Sequence, residues 1–119
     1  VAETYHKRLQ SLELLLPDVR PNSAHVFHLY VIQTDHRDDL KEHLHRNDIE
    51  AGIHYEVPVH MHPGFSKHVV PPKAGLPVTE SLAKRILSLP LSRGRSGLFP
   101  KWPASDLPVW RKNRGQGVR

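Results

Sequence analysis

Apolar residues recur along this chain at several spacings, and each spacing assigns an element. Between Ala2 and Leu16, the residues Tyr5, Leu9, Leu12 and Leu16 fall three and four apart, which is one face of a helix, with Lys7, Arg8 and Glu13 largely off that face. Pro17 ends the helix, and 17–22 holds two prolines, an aspartate and an asparagine, the composition of a turn. Residues 24–33, AHVFHLYVIQ, are rich in β-branched and aromatic side chains and read as the strongest strand. Their near-continuous apolar run from Val26 to Ile32 predicts a strand covered on both faces. A second helix is expected over 37–46, with Asp35 as N-cap, Asp38 and Asp39 in the first turn, and Leu40 and Leu44 as its buried edge. Asn47 and Asp48 close it. A strand at 49–57 follows and breaks at Pro58. Pro77 then opens a third helix, 77–86, at a position where its missing N–H costs nothing, and Leu82 and Ile86 share one of its faces. A short strand at 86–89 is stopped by Pro90. Together these predict an α/β (α+β) fold, a small and mostly antiparallel sheet of two or three strands packed by helices.

The pattern stops at Ser92. Beyond it lie three prolines, four glycines and seven cations against Asp106 alone, with no helical or strand periodicity. The chain therefore divides into a domain at 1–91 and a basic Pro/Gly-rich tail at 92–119, whose composition is that of an extended or disordered arm. This division explains the formal charge of +5, because the tail carries the excess and the first 91 residues are close to neutral. Trp102 and Trp110 among the tail's cations form a mix able to touch phosphates and stack bases. Glycine- and arginine-rich ends also arise without such a role, and no nucleic-acid partner is expected. No apolar run approaches the roughly 20 residues of a membrane span. The absence of cysteine excludes disulfides and thiolate metal sites and fits a cytoplasmic location.

Candidate chemistry concentrates in 52–65, GIHYEVPVHMHPGF. Pro58 and Pro63 prevent this run from being one central strand, so His54, His60 and His62 fall at and just beyond a strand end, where loops display side chains on a rigid base. On an extended segment, His60 and His62 would project to one side with His54 near, which is the beginning of a metal site. The spacing alone is weak, and Glu56 is the sole acidic residue within the run, so no metal is expected. His43 and His45, two apart on a helix, diverge by about 200°. No cysteine, nucleophile elbow or glycine-rich phosphate loop is present.

Read in order, the motifs resemble the C-terminal small domain of the DegT/DnrJ/StrS-type pyridoxal-phosphate-dependent nucleotide-sugar aminotransferases. The resemblance is carried by Ala2, Tyr5 and Leu9, by HVFHLYVI at 25–32, and by Arg37 with Leu40 and Leu44. It continues through Gly52-Ile53-His54-Tyr55, Pro58-Val59-His60, Pro63 with Phe65, Gly75-Leu76-Pro77-Val78 with Glu80, and ILSLPL at 86–91. Glu56 stands where the family usually has proline, Asp48 stands where a glycine usually ends the helix, and Ser92 onward does not match. The resemblance implies a domain that closes over a cofactor cleft, with His54, Tyr55 and His60 nearest the substrate. The alternative for each is structural: Tyr55 caps the core, and His60 bonds a loop carbonyl.

In that family the Schiff-base lysine, the aspartate on the pyridine nitrogen and the phosphate-binding groups belong to a large domain expected to precede Val1. The resemblance therefore implies no catalytic residue in this chain, no pyridoxal phosphate bound by it, and a C-terminal fragment of a sugar aminotransferase that is inactive alone. The competing class is a stand-alone, non-enzymatic binding or assembly module with the tail as its contact arm. Because the family's closing helix is not matched after Leu91, apolar residues at 26–32 would face water unless the tail folds back over them or two chains bury the same face, and a homodimer with tail involvement is expected over the folded-back cover.

Overall fold

A computed structural model describes residues 1–65, 68, 70 and 72–91; the expected tail at 92–119 lies outside the described residues. The element order is helix α1 (Ala2–Leu9), strand β1 (Tyr30–Gln33), helix α2 (Arg37–Arg46), a 3₁₀ turn (Val59–Met61), helix α3 (Pro77–Arg85) and strand β2 (Ile86–Leu89). The two strands pair antiparallel, Tyr30 opposite Leu89 and Gln33 opposite Ile86. Flanking them, Leu15 pairs with Gln33 on the outer side of β1, and Gly52 pairs with Ser88 on the outer side of β2. The expected mixture of helices and a small antiparallel sheet is therefore present, with two regular strands and one bridge on each side.

Alternation sets the core. Tyr30 and Ile32 on β1 face the same way as Leu87 and Leu89 on β2, and these four join Tyr5, Leu9, Leu12, Leu40, Leu44 and Ile49 in one cluster. Each fully buried side chain of this kind contributes about 1.5–3 kcal/mol. The α1 helix is tied down at its middle, where the Tyr5 hydroxyl donates to the Pro90 carbonyl at 2.7 Å. At the start of α3, Gly75 takes a φ of +69°, a conformation open to glycine, and Pro77 follows at the first helical turn.

Several boundaries differ from expectation, each for a local reason. The first helix stops at Leu9 instead of continuing to Leu16. From there Leu12 and Leu14 are buried while Glu13 and Leu15 are exposed, a period of two that suits extended chain, and Leu15 pairs with Gln33 through both backbone groups. The strand expected over 24–33 begins only at Tyr30, because Phe27 adopts a φ of +48° and its N–H is taken by the His25 ring at 2.8 Å. Val26 is 90% exposed, while Tyr30 and Ile32 are buried. Of the apolar run expected to face water, Tyr30 and Ile32 are thus covered by the core, while Val26 remains exposed. The strand expected at 49–57 reduces to the Gly52 bridge. Asp35 does not cap α2; His36 holds that position, and Asp35 instead pairs with Arg85 at 2.7 Å. Asp48 keeps the left-handed turn, φ +58°, at the place where the resemblance leads one to expect a glycine. Among the described residues, no helix is long and apolar enough to cross a membrane.

Candidate functional site

Beyond the Gly52 bridge the chain leaves the sheet, folds over the flank of α3 and borders an open cavity of about 720 Å³. One wall is the loop, with His54, Tyr55, Val57, Pro58, Val59, His62 and Phe65. The other is α3 and the start of β2, with Thr79, Leu82, Ala83 and Ile86. The lining is mostly apolar, with two imidazoles, a phenol and the Thr79 hydroxyl as polar groups, the usual constitution of a small-molecule site.

His54 and Tyr55 both line this cavity, and Tyr55 is 78% exposed, so it does not cap the core. The His54 ring is held from behind by Ser88, with Nδ1 3.0 Å from the Ser88 hydroxyl. His60 sits differently. Its side chain is only 8% exposed, it is absent from the cavity lining, and its Nε2 lies 3.0 Å from Oε1 of Glu80 on α3. The same Glu80 oxygen accepts the Leu76 N–H at 3.1 Å. That bond first, and His60 after it, hold the Glu80 carboxyl below the usual carboxylate range. The partner of His60 is therefore a carboxylate that also bonds the backbone just before α3, not a loop carbonyl. The bond ties the 3₁₀ turn to the helix and fixes the two walls to each other.

His62 goes elsewhere again, accepting the Gly64 N–H at 3.2 Å and packing edge-on against Phe65. His60 lies in the 3₁₀ turn, so the extended geometry that would align it with His62 is not present. Among the described residues no cluster of three or more histidine and acidic side chains is arranged to hold a metal ion.

Arg37 supports the second wall from inside. Its buried guanidinium donates from Nη1 to the Ala83 carbonyl at 2.9 Å and from Nε to Asp38 at 2.8 Å, and Glu56 stands 4.0 Å from Nη2. Glu80, Ser88 and Arg37 are the residues that spacing in the sequence did not single out as site components. Ser88 carried a signal, as a hydroxyl in the middle of the apolar strand ILSL; Glu80 and Arg37 act across the fold, 20 and 46 residues from their partners.

Comparison with known proteins gives this geometry a family. Residues 1–96 match the DegT/DnrJ/EryC1/StrS aminotransferase family, and the chain belongs to it. It is 41% identical over 76 residues to a dTDP-3-amino-3,4,6-trideoxy-alpha-D-glucose transaminase of Streptomyces venezuelae, covering 64% of this chain and 20% of that protein. It is 36% identical over 92 residues to the erythromycin biosynthesis sensory transduction protein EryC1 of Saccharopolyspora erythraea, covering 76% of this chain and 25% of the relative. The crystal structure of S. venezuelae DesV in complex with a ketimine intermediate superposes with a TM-score of 0.69 at 39% identity, over 75% of this chain and 24% of that one. The chain thus spans a fifth to a quarter of the length of these relatives.

Enzymes of an aminotransferase family ordinarily use pyridoxal phosphate, which needs a lysine for its carbonyl carbon and donors for its phosphate. Among the described residues, no lysine or arginine lines the His54–Tyr55 cavity. Of the described lysines, Lys7 pairs with Glu3 on the outer face of α1, Lys41 borders a separate hollow beside α2, Lys73 is exposed in the turn before Gly75, and Lys84 lies with Asp35 and Arg85 in another hollow beside α3. The described residues do not by themselves fit the cofactor.

Proposed function

We propose that this chain is the C-terminal portion of a pyridoxal-phosphate-dependent sugar aminotransferase, supplying the substrate-facing wall of a site that moves an amino group from an amino acid to a keto-sugar nucleotide, and that it is not catalytic alone. The observation that carries the reading is the cavity itself. His54 and Tyr55 are presented on a braced wall, with an apolar surface for a sugar ring and base to lie against, and with no lysine among its described lining residues. The share of the relatives that the chain spans supports the same division of labour. His60 serves through Glu80, holding the wall in place.

The test is a chimera in which residues 1–91 replace the matching segment of the S. venezuelae transaminase. Measurable transamination of that enzyme's own substrate is expected, reduced at least about tenfold by His54→Ala, a loss of one oriented contact. A folded, cofactor-loaded chimera with no activity would overturn the reading. The chain alone, mixed with pyridoxal phosphate, is expected to give only slow, nonspecific lysine adducts.

A second reading, a non-enzymatic assembly module, is favoured by the exposure of Tyr55, Val59, Met61 and Phe65 on one loop. It expects a homodimer through that face, and a full-length chain that stays monomeric in light scattering at high concentration would remove it.

A further inference from the structure

Ser88 is 5% exposed, between Leu87 and Leu89 at the centre of an apolar strand. Neither pairing nor core packing needs a hydroxyl there, since Val31 stands opposite it in the ladder and both of its backbone groups bond Gly52. The hydroxyl instead meets Nδ1 of His54 at 3.0 Å. Gly52 completes the seat. Its N–H donates to the Ser88 carbonyl at 3.0 Å, the Ser88 N–H donates back at 2.7 Å, and a Cβ on residue 52 would stand 2.8 Å from Cε1 of His54. The backbone two residues before the ring is pinned to β2, and the ring occupies space that a side chain at 52 would contest.

The direction of the Ser88–His54 bond follows from the hydrogen-bond inventory. Among the described residues, the Ser88 hydroxyl has no other acceptor. If Nδ1 carried the proton and donated it, the buried Ser88 O–H would be left without an acceptor, and an orphaned buried donor costs about 1–3 kcal/mol. In the opposite arrangement only spare lone pairs on Oγ go unused, which folded proteins tolerate more readily. The hydroxyl therefore donates to Nδ1, and the proton of the neutral ring resides on Nε2. That nitrogen makes no hydrogen bond among the described residues and is the one left for the cavity that His54 lines.

We infer that Ser88 and Gly52 are positioning residues that hold His54 as its neutral Nε2–H tautomer, making the ring a hydrogen-bond donor that selects an oxygen acceptor, such as a sugar hydroxyl or carbonyl oxygen, over an ammonium group. The choice of a sugar oxygen rests on the proposed function; the tautomer is a property of this chain alone. An inactive chimera would therefore leave the tautomer assignment standing, and the reverse also holds.

Long-range proton–nitrogen correlation spectra of the full chain at about pH 8, where an ordinary histidine is neutral, test the assignment, with the His54 signals identified by their loss in His54→Gln. The expected wild-type pattern is a protonated, pyrrole-type Nε2 and an unprotonated, pyridine-type Nδ1. Ser88→Ala should lose this preference and give averaged nitrogen shifts, and Ser88→Thr, which keeps the hydroxyl, should restore it. A protonated Nδ1 in the wild type, or an unchanged pattern in a folded Ser88→Ala, would overturn the inference. If Ser88→Ala does not fold, the wild-type and threonine spectra decide it.

Discussion

Leu87 and Val59 are both aliphatic residues on elements that border the cavity, yet Leu87 is completely buried and Val59 is 63% exposed. Leu87 lies on β2, where α1, α2 and the chain around Leu12 close over the sheet and supply their own apolar cover. Val59 begins the 3₁₀ turn, with Met61 and Phe65 beyond it also more than half exposed, and no described residue closes over them. One side of the molecule is a finished core, and the other is an apolar wall held in shape by polar bonds, His60 to Glu80 and His54 to Ser88. Apolar composition alone does not distinguish them. What differs is how the chain's own opposite surface meets them, packed directly against Leu87 and standing across an open cavity from Val59.

The contrast can be broken by mutation. The largest effect is expected from Leu87→Ala, which deletes a side chain with no solvent exposure and should cost about 2–5 kcal/mol in denaturant unfolding. Tyr5→Phe should cost about 1 kcal/mol, since it removes the hydroxyl that joins α1 to Pro90 while keeping the ring against Tyr30. That variant also has a pH signature. Burial raises the Tyr5 phenol above its ordinary value of 10.0, so the protonated form is favoured in the fold. Its contribution is complete below that value and is lost as pH rises through the raised one, and Tyr5→Phe should flatten this part of the alkaline stability profile. The smallest effect belongs to Val59→Ser, expected within about 0.5 kcal/mol. A loss comparable to that of Leu87→Ala would mean that the loop face is core after all.

Much of the scaffold is legible in the sequence, for reasons the structure makes plain. The second helix, 37–46, and the short strand, 86–89, carry their own signals in Leu40, Leu44 and the alternation around Ser88, and both occur at the expected residues. Leu12 and Leu16 also satisfy a helical spacing, so the sequence reads the first helix too long, while the period-two burial of Leu12 and Leu14 depends on the pairing of Leu15 with Gln33 on β1. The β-branched run before Tyr30 reads as strand, but one left-handed residue, Phe27, redirects it to stack its ring near Tyr30 and His25. At the site, the run holding His54, Tyr55 and His60 stands out by its prolines and histidines. Which of them faces a cavity and which is turned to Glu80 is settled by contacts across 20 or more residues, which no local pattern encodes.

Native-state hydrogen exchange on the full chain measures the difference between the two regions most directly. The amides of Gly52, Ile32 and Ser88, bonded within the sheet, should exchange only through near-global unfolding, while those of Met61 and His62, bonded within a single exposed turn, should exchange roughly 100-fold faster or more. Equal protection of Met61 and Ser88 would contradict the account, because it would show the loop wall folded and covered as part of the same cooperative unit as the core.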